Sequence, residues 1–255
     1  MGAQEKEQAG RAPASLDDYF GFAFIPLNRK EFLRIQGDLL EKVERALAAM
    51  EEDLAGKLPR EAALLGAMLK ISSWRSLRES LKSSIEHMEE PEMMEKDLYR
   101  CAVIFYRDLD HPYWSTEQFQ FLLHLNQHIP AYWAGYGTCL VMMQDQGFLE
   151  EFRLEEKAAI AFLQAARLAL AHLFKKTAHG TAFPPGKLAA NAALYYHNAC
   201  ELSPTEDLEQ VAALCDELKD NEALQQYEVF SRERLPGLPE GICEELEAAL
   251  AIQIA

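Results

Sequence analysis

The sequence predicts an all-α protein: one compact domain of about nine or ten helices behind a short extended N-terminal arm. Three observations carry this. Apolar residues recur at steps of three and four, as in Leu40, Val43, Leu47, Met50 and Leu54. Breaks fall at Gly56 and Pro59, at Pro91, at Pro130, at Gly147, and at Gly180 with Pro184 and Pro185. No period-two pattern is longer than the one at Phe20, Phe22 and Phe24.

Residues 1–15 are polar and rich in Ala and Gly, and are expected to form a disordered tail. Residues 16–255 are expected to form the helical domain, with a possible sub-boundary near 180–187. The stretch "DYFGFAFIP" reads as an extended arm, laid over the core or offered to a partner as a recognition strand. Asn28 then caps a helix, with Glu31 completing a capping box and Leu27 and Phe32 as a hydrophobic staple. A second helix or pair covers residues 60–88, with Trp74, Leu77, Leu81 and Met88 on its apolar side. Pro91 starts a third, ending near Arg107. After the loop "DLDHPYW", Ser115 caps the next helix, with Gln118 as box partner and Trp114 and Phe119 as staple. Pro130 opens a new helix and Gly147 ends it.

A long apolar helix follows over about residues 154–177, with Lys175 and Lys176 suiting its C-terminal dipole. Its run from Ala158 to Phe174 is shorter than the roughly 20 residues of a membrane span. It also contains Gln164, Arg167 and His172, so a buried central helix is expected. Further helices are expected near 187–202, 204–219, 222–233 and 240–252, with Ser203 and Glu206 as another capping box around Pro204. Ala192, Tyr196, Ala199 and Pro204 have the second-helix spacing of a tetratricopeptide unit. Pro184 and Pro185 interrupt the first helix, and no copy follows about 34 residues on, so this is two packed antiparallel helices.

Hydrophobic residues make up 49 %, enough for a sizeable core. The formal net charge of -16 argues against nucleic acid, whose phosphates need clustered Lys and Arg. The charge is segregated. From Glu201 onward there are 14 acids and 3 bases, whereas residues 113–200 carry 6 of each. Such a surface is either a solvated face or a docking site for a basic protein. The candidate docking acids are Glu206, Asp207, Glu209, Asp216, Glu217, Glu244, Glu245 and Glu247.

The five cysteines are widely spaced and form no Cys-x-x-Cys pair, so neither a disulfide framework nor a zinc cage is expected. With no signal-peptide pattern at the start, a cytoplasmic protein is expected.

His124 and His128 have the spacing of a zinc-binding helix, but Leu125 stands where the general-base Glu of a metalloprotease would follow the first His. A third ligand would have to come from His111 or Asp110. No Glu-x-x-His, P-loop, Gly-x-Gly-x-x-Gly or Gly-x-Ser-x-Gly occurs. No metal, cofactor or catalytic residue is assigned. His124, His128, Tyr132 and Tyr136 could meet at the Pro130 bend, as a hydrogen-bonded seam or a ligand groove. Arg167 and His172 are the polar exceptions in the apolar helix, and Arg167 calls for a buried carboxylate or a ligand. Arg75, Arg78 and Lys82 read as a solvated face.

Two functional classes follow. One is a non-enzymatic acidic binder of a basic partner, such as the immunity protein of a toxin pair. The other is an enzyme or small-ligand binder using the His/Tyr groove with Arg167 and His172.

Overall fold

The computed structural model describes residues 29–56, 61–147, 153–175 and 183–254. The tail, the Phe20–Phe24 arm and the Leu27–Asn28 cap lie outside the described residues. Among the described residues the architecture is all-α, with ten α-helices and no strand. They are α1 (Arg29–Gly56), α2 (Glu61–Glu86), α3 (Pro91–Val103), α4 (Pro112–Leu125), α5 (Pro130–Asp145), α6 (Leu154–Phe174), α7 (Pro185–Leu202), α8 (Glu206–Asp220), α9 (Tyr227–Glu233) and α10 (Glu240–Ala251).

Consecutive helices pack on one another from α1 through α8, and α10 returns onto α6 and α8. Three apolar cores result. The first joins α1 and α2 to the end of α3 through Leu39, Val43, Trp74, Leu77 and Phe105. The second joins α3, α4, α5 and one face of α6 through Leu98, Phe119, Trp133 and Phe162. The third joins the other face of α6 to α7, α8, α9 and α10 through Leu170, Tyr196, Val211 and Phe230. Helix α6 is the wall between the last two cores, so it is apolar nearly all round. By length and composition it is the one described helix that could cross a membrane, yet most of it is buried inside the protein.

Two capping expectations are corrected. Ser115 does not cap α4, because Pro112, with its fixed φ, starts the helix three residues earlier. Ser115 instead lies inside the helix and donates to the Ala102 carbonyl at 2.8 Å, tying α4 to α3. Its expected box partner, Gln118, is fully buried and accepts from the Gln36 amide at 2.9 Å. Likewise α8 is capped by Thr205, whose hydroxyl accepts from the Leu208 N–H at 3.3 Å, and not by Ser203. Helix α9 starts later than expected, because the Asn221 side chain accepts from the Ala223 N–H and holds a turn there.

Helix α3 widens into a π-helical turn over Ile104–Asp108, closed by Leu109 N–H to Ile104 O at 3.1 Å. Asp110 follows with φ +58, a left-handed conformation that Asp tolerates better than most residues. This delivers His111 between two tryptophans, 5.7 Å from the Trp74 ring and 4.8 Å from the Trp114 ring.

Burial, then the charge of Lys70, lowers the His111 pKa below its ordinary 6.5. The unfolded chain therefore binds the proton more tightly. The contribution to stability is present above pH 6.5 and is lost as pH falls through that value toward the folded pKa. His111→Asn should flatten the pH dependence of the urea midpoint between about pH 7 and 5. An unchanged slope would show that His111 does not contribute.

Candidate functional site

The acidic face is built by α8 and α10. Val211, Ala212, Leu214, Cys215 and Leu218 bury one side of α8, while Ile242, Leu246 and Ala249 bury one side of α10. The first turns of the two helices abut, for a Cβ on Gly241 would lie 2.4 Å from the Asp207 carboxylate. Glu206, Asp207 and Glu209 occupy the first turn of α8, where the helix dipole favours negative charge. Glu206, Asp207, Glu209, Glu244 and Glu247 are all exposed.

The other three sequence candidates are engaged internally. Asp216 accepts from His197 at 2.7 Å and from Lys219 at 2.9 Å, which holds its carboxyl below the usual range. Glu217 pairs with Arg234. Glu245 turns inward and takes two hydrogen bonds from the Arg167 guanidinium, at 2.8 and 2.7 Å, and one from the Tyr196 hydroxyl at 2.9 Å.

The bases of this region are consumed as well: Lys219 by Asp216, Arg232 by Glu233 and Arg234 by Glu217. None is left to face the exposed acids of α8 and α10. On α2, Arg75, Arg78 and Lys82 pair with Glu51, Glu79 and Glu44.

The six groove candidates are dispersed. His124 is exposed on the last turn of α4, and His128 sits in the turn before Pro130. His172 donates through Nε2 to the His128 carbonyl at 2.8 Å, so the link is to backbone rather than imidazole. Tyr132 donates to Glu95 at 2.7 Å, and Tyr136 is buried against Gln120 and Cys139. Arg167 belongs to the Glu245 network in a different core. Neither His111 nor Asp110 joins the histidine pair: His111 packs between tryptophans, and Asp110 accepts from Gln146 at 3.0 Å. Among the described residues, no three of His, Cys, Asp and Glu converge as metal donors.

Two groupings escaped the sequence reading. Ser83, His87 and Asp97 form a triangle, with Ser83 Oγ donating to Asp97 at 2.6 Å and His87 Nδ1 lying 3.1 Å from both. In a hydrolytic triad the imidazole separates serine from carboxylate through its two nitrogens. Here both contacts fall on Nδ1 and the serine proton goes to Asp97, so the triangle ties the end of α2 to α3.

The second grouping is aromatic. The Tyr99 ring lies 5.5 Å from that of Tyr132 and 6.4 Å from Phe119, and Tyr106 lies 6.1 Å from Phe119. Tyr195 of α7 joins them, its pKa pushed up to about 12 by burial and by Tyr99 and Tyr106. The spacing of Glu95, Tyr99 and Tyr106 along one helix was the available signal.

Burial pushes the Cys139 thiol up to about 12, and drives Cys101 and Cys215 higher still. Such thiols are poor nucleophiles. Cys200 and Cys243 are partly exposed. A thiol reagent should label those two in the native protein and the other three only after unfolding. Native labelling of Cys139 would overturn this assignment.

The fold and this face define an all-α protein with a segregated acidic surface. Comparison of the chain with protein-family models, with curated proteins and with solved structures gives no significant match.

Proposed function

We propose that the protein is a non-enzymatic helical binding module that docks a basic protein partner on the α8–α10 face, in the manner of a stoichiometric inhibitor acting in the cytoplasm. One observation carries the reading. Every Lys and Arg from position 201 onward is held in an ion pair, while Glu206, Asp207, Glu209, Glu244 and Glu247 have no cation against them among the described residues. An uncompensated field of one sign accelerates encounter with a partner of the other sign.

The test is a Glu206→Gln/Glu209→Gln/Glu244→Gln/Glu247→Gln variant, with the internally paired Asp216, Glu217 and Glu245 left intact. Exposed changes of this kind cost under about 0.5 kcal/mol each, so the variant should fold. A partner captured from host lysate should carry net positive charge. It should associate with the variant about tenfold more slowly, with a smaller change in dissociation rate. Its association with the wild type should slow as added salt shortens the field. Equal association rates for both versions, without salt dependence, would remove this face as the docking site.

A further inference from the structure

We propose that two copies of this chain associate about a two-fold axis through the start of α2, with Leu65, Met68 and Leu69 of each copy packed against the other. These three are 61 %, 55 % and 62 % exposed, the most exposed large apolar side chains among the described residues. Their spacing of three and four puts them in one patch, and a clustered apolar patch marks a contact where a lone exposed residue does not. At about 100° per residue, Leu65 lies about 180° round α2 from Trp74. Trp74, with Ile71 and Leu77, is buried in the first core. The start of α2 is therefore apolar both toward the core and away from it, the pattern of a helix covered on both sides.

Charge selects the occupant. No charged residue falls between Ala62 and Leu69, and residues 50–75 carry 4 acids and 4 bases in a chain whose net charge is -16. A basic partner finds no field to hold it at this patch. Two copies of an acidic chain repel each other wherever acids accumulate, and they can approach through a segment whose charge is balanced.

A two-fold contact needs a surface that complements itself. Beside the patch, Leu54, Met68 and Ile71 line a groove of about 460 Å³ between α1 and α2, with Glu51 and Arg75 as its charged walls. Arg75 donates to a single Glu51 oxygen, Oε1, from Nε at 3.1 Å and from Nη2 at 2.5 Å. Among the described residues, Arg75 Nη1 and Glu51 Oε2 have no hydrogen bond, and both side chains are exposed. In the two-fold pair each groove receives the leucines of the other copy, and Arg75 of one copy meets Glu51 of the other. The contact is smaller than the roughly 800 Å² per partner of a standard interface, so a weak dimer is expected, with Kd on the order of 10 µM.

The experiment is analytical ultracentrifugation of the full-length chain over about 1–100 µM, a range that brackets such a Kd. The weight-average mass should rise from one chain toward two. Leu65→Lys/Leu69→Lys changes only exposed side chains and should keep the helical circular-dichroism signal. It should stay monomeric throughout, because it sets like charges against each other across the axis. Glu51→Arg and Arg75→Glu, made in separate chains, should each weaken self-association at least tenfold, and an equimolar mixture of the two should recover it as a heterodimer. A wild-type chain that is monomeric throughout would overturn the proposal. So would a Leu65→Lys/Leu69→Lys variant that dimerises like the wild type, or a mixture no more dimeric than its components.

Discussion

Replacing Arg167 by leucine should cost about 3–5 kcal/mol of folding stability. The guanidinium meets both carboxylate oxygens of Glu245, and the two side chains are only 28 % and 12 % exposed. Without the cation, Glu245 would remain among α6, α7 and α10 with the Tyr196 hydroxyl as its one remaining described donor. A buried charge left without its counter-ion is far costlier than the pair is favourable. The double variant Arg167→Leu/Glu245→Leu should therefore recover most of the loss, to within about 1 kcal/mol of wild type. Tyr196→Phe, which removes one hydrogen bond and leaves the ion pair, should cost only about 1 kcal/mol. At about 2–4 °C per kcal/mol for a chain of this size, the single Arg variant should melt roughly 10 °C lower. A single variant that melts with the wild type, or a double variant no better than the single, would show that the pair does not carry this energy.

Gly135→Ala should destabilise by about 2 kcal/mol although it puts a better helix former into α5. A Cβ at this position would lie 2.1, 2.5 and 2.8 Å from three ring carbons of Phe119. Phe119 is 1 % exposed and is flanked by the rings of Tyr99 and Tyr106, so it has nowhere to retreat. Propensity returns up to about 1 kcal/mol, and overpacking a dense core costs about 3, so the clash dominates. Phe119→Leu alone opens a small void. Combined with Gly135→Ala it should cost less than the two losses added together, since each change relieves the other. Additive losses in urea unfolding would mean that α4 and α5 separate freely at this point.

Helix positions were legible because they depend on short-range chemistry. Period, proline and glycine located the breaks near Gly56, Pro91, Pro130 and Gly147, and the helices between them. The caps were less legible. Ser115 and Ser203 have the right residue type, but Pro112 and Thr205 set where the helices start. Arg167 was legible as a group that must be paired, because an apolar helix cannot leave a guanidinium alone. Its partner was not, because Glu245 is 78 residues away and only the return of α10 onto α6 brings it in.

The same limit divides the acidic face. Glu244, Glu245 and Glu247 are equivalent as sequence, and all three read as surface charge. On a helix one residue is a rotation of about 100°, and packing α10 through Ile242, Leu246 and Ala249 turns Glu245 toward Arg167 and leaves Glu244 and Glu247 in solvent. The sequence by itself determined the helical class, the segregation of charge and the need for an ion pair inside α6. Tertiary structure decided which acids remain uncompensated, and it sent His124, His128, Tyr132 and Tyr136 to different surroundings once Pro130 opened a new helix. Local pattern fixes which face of a helix is apolar, whereas the neighbour that covers that face is chosen by contacts remote in the chain.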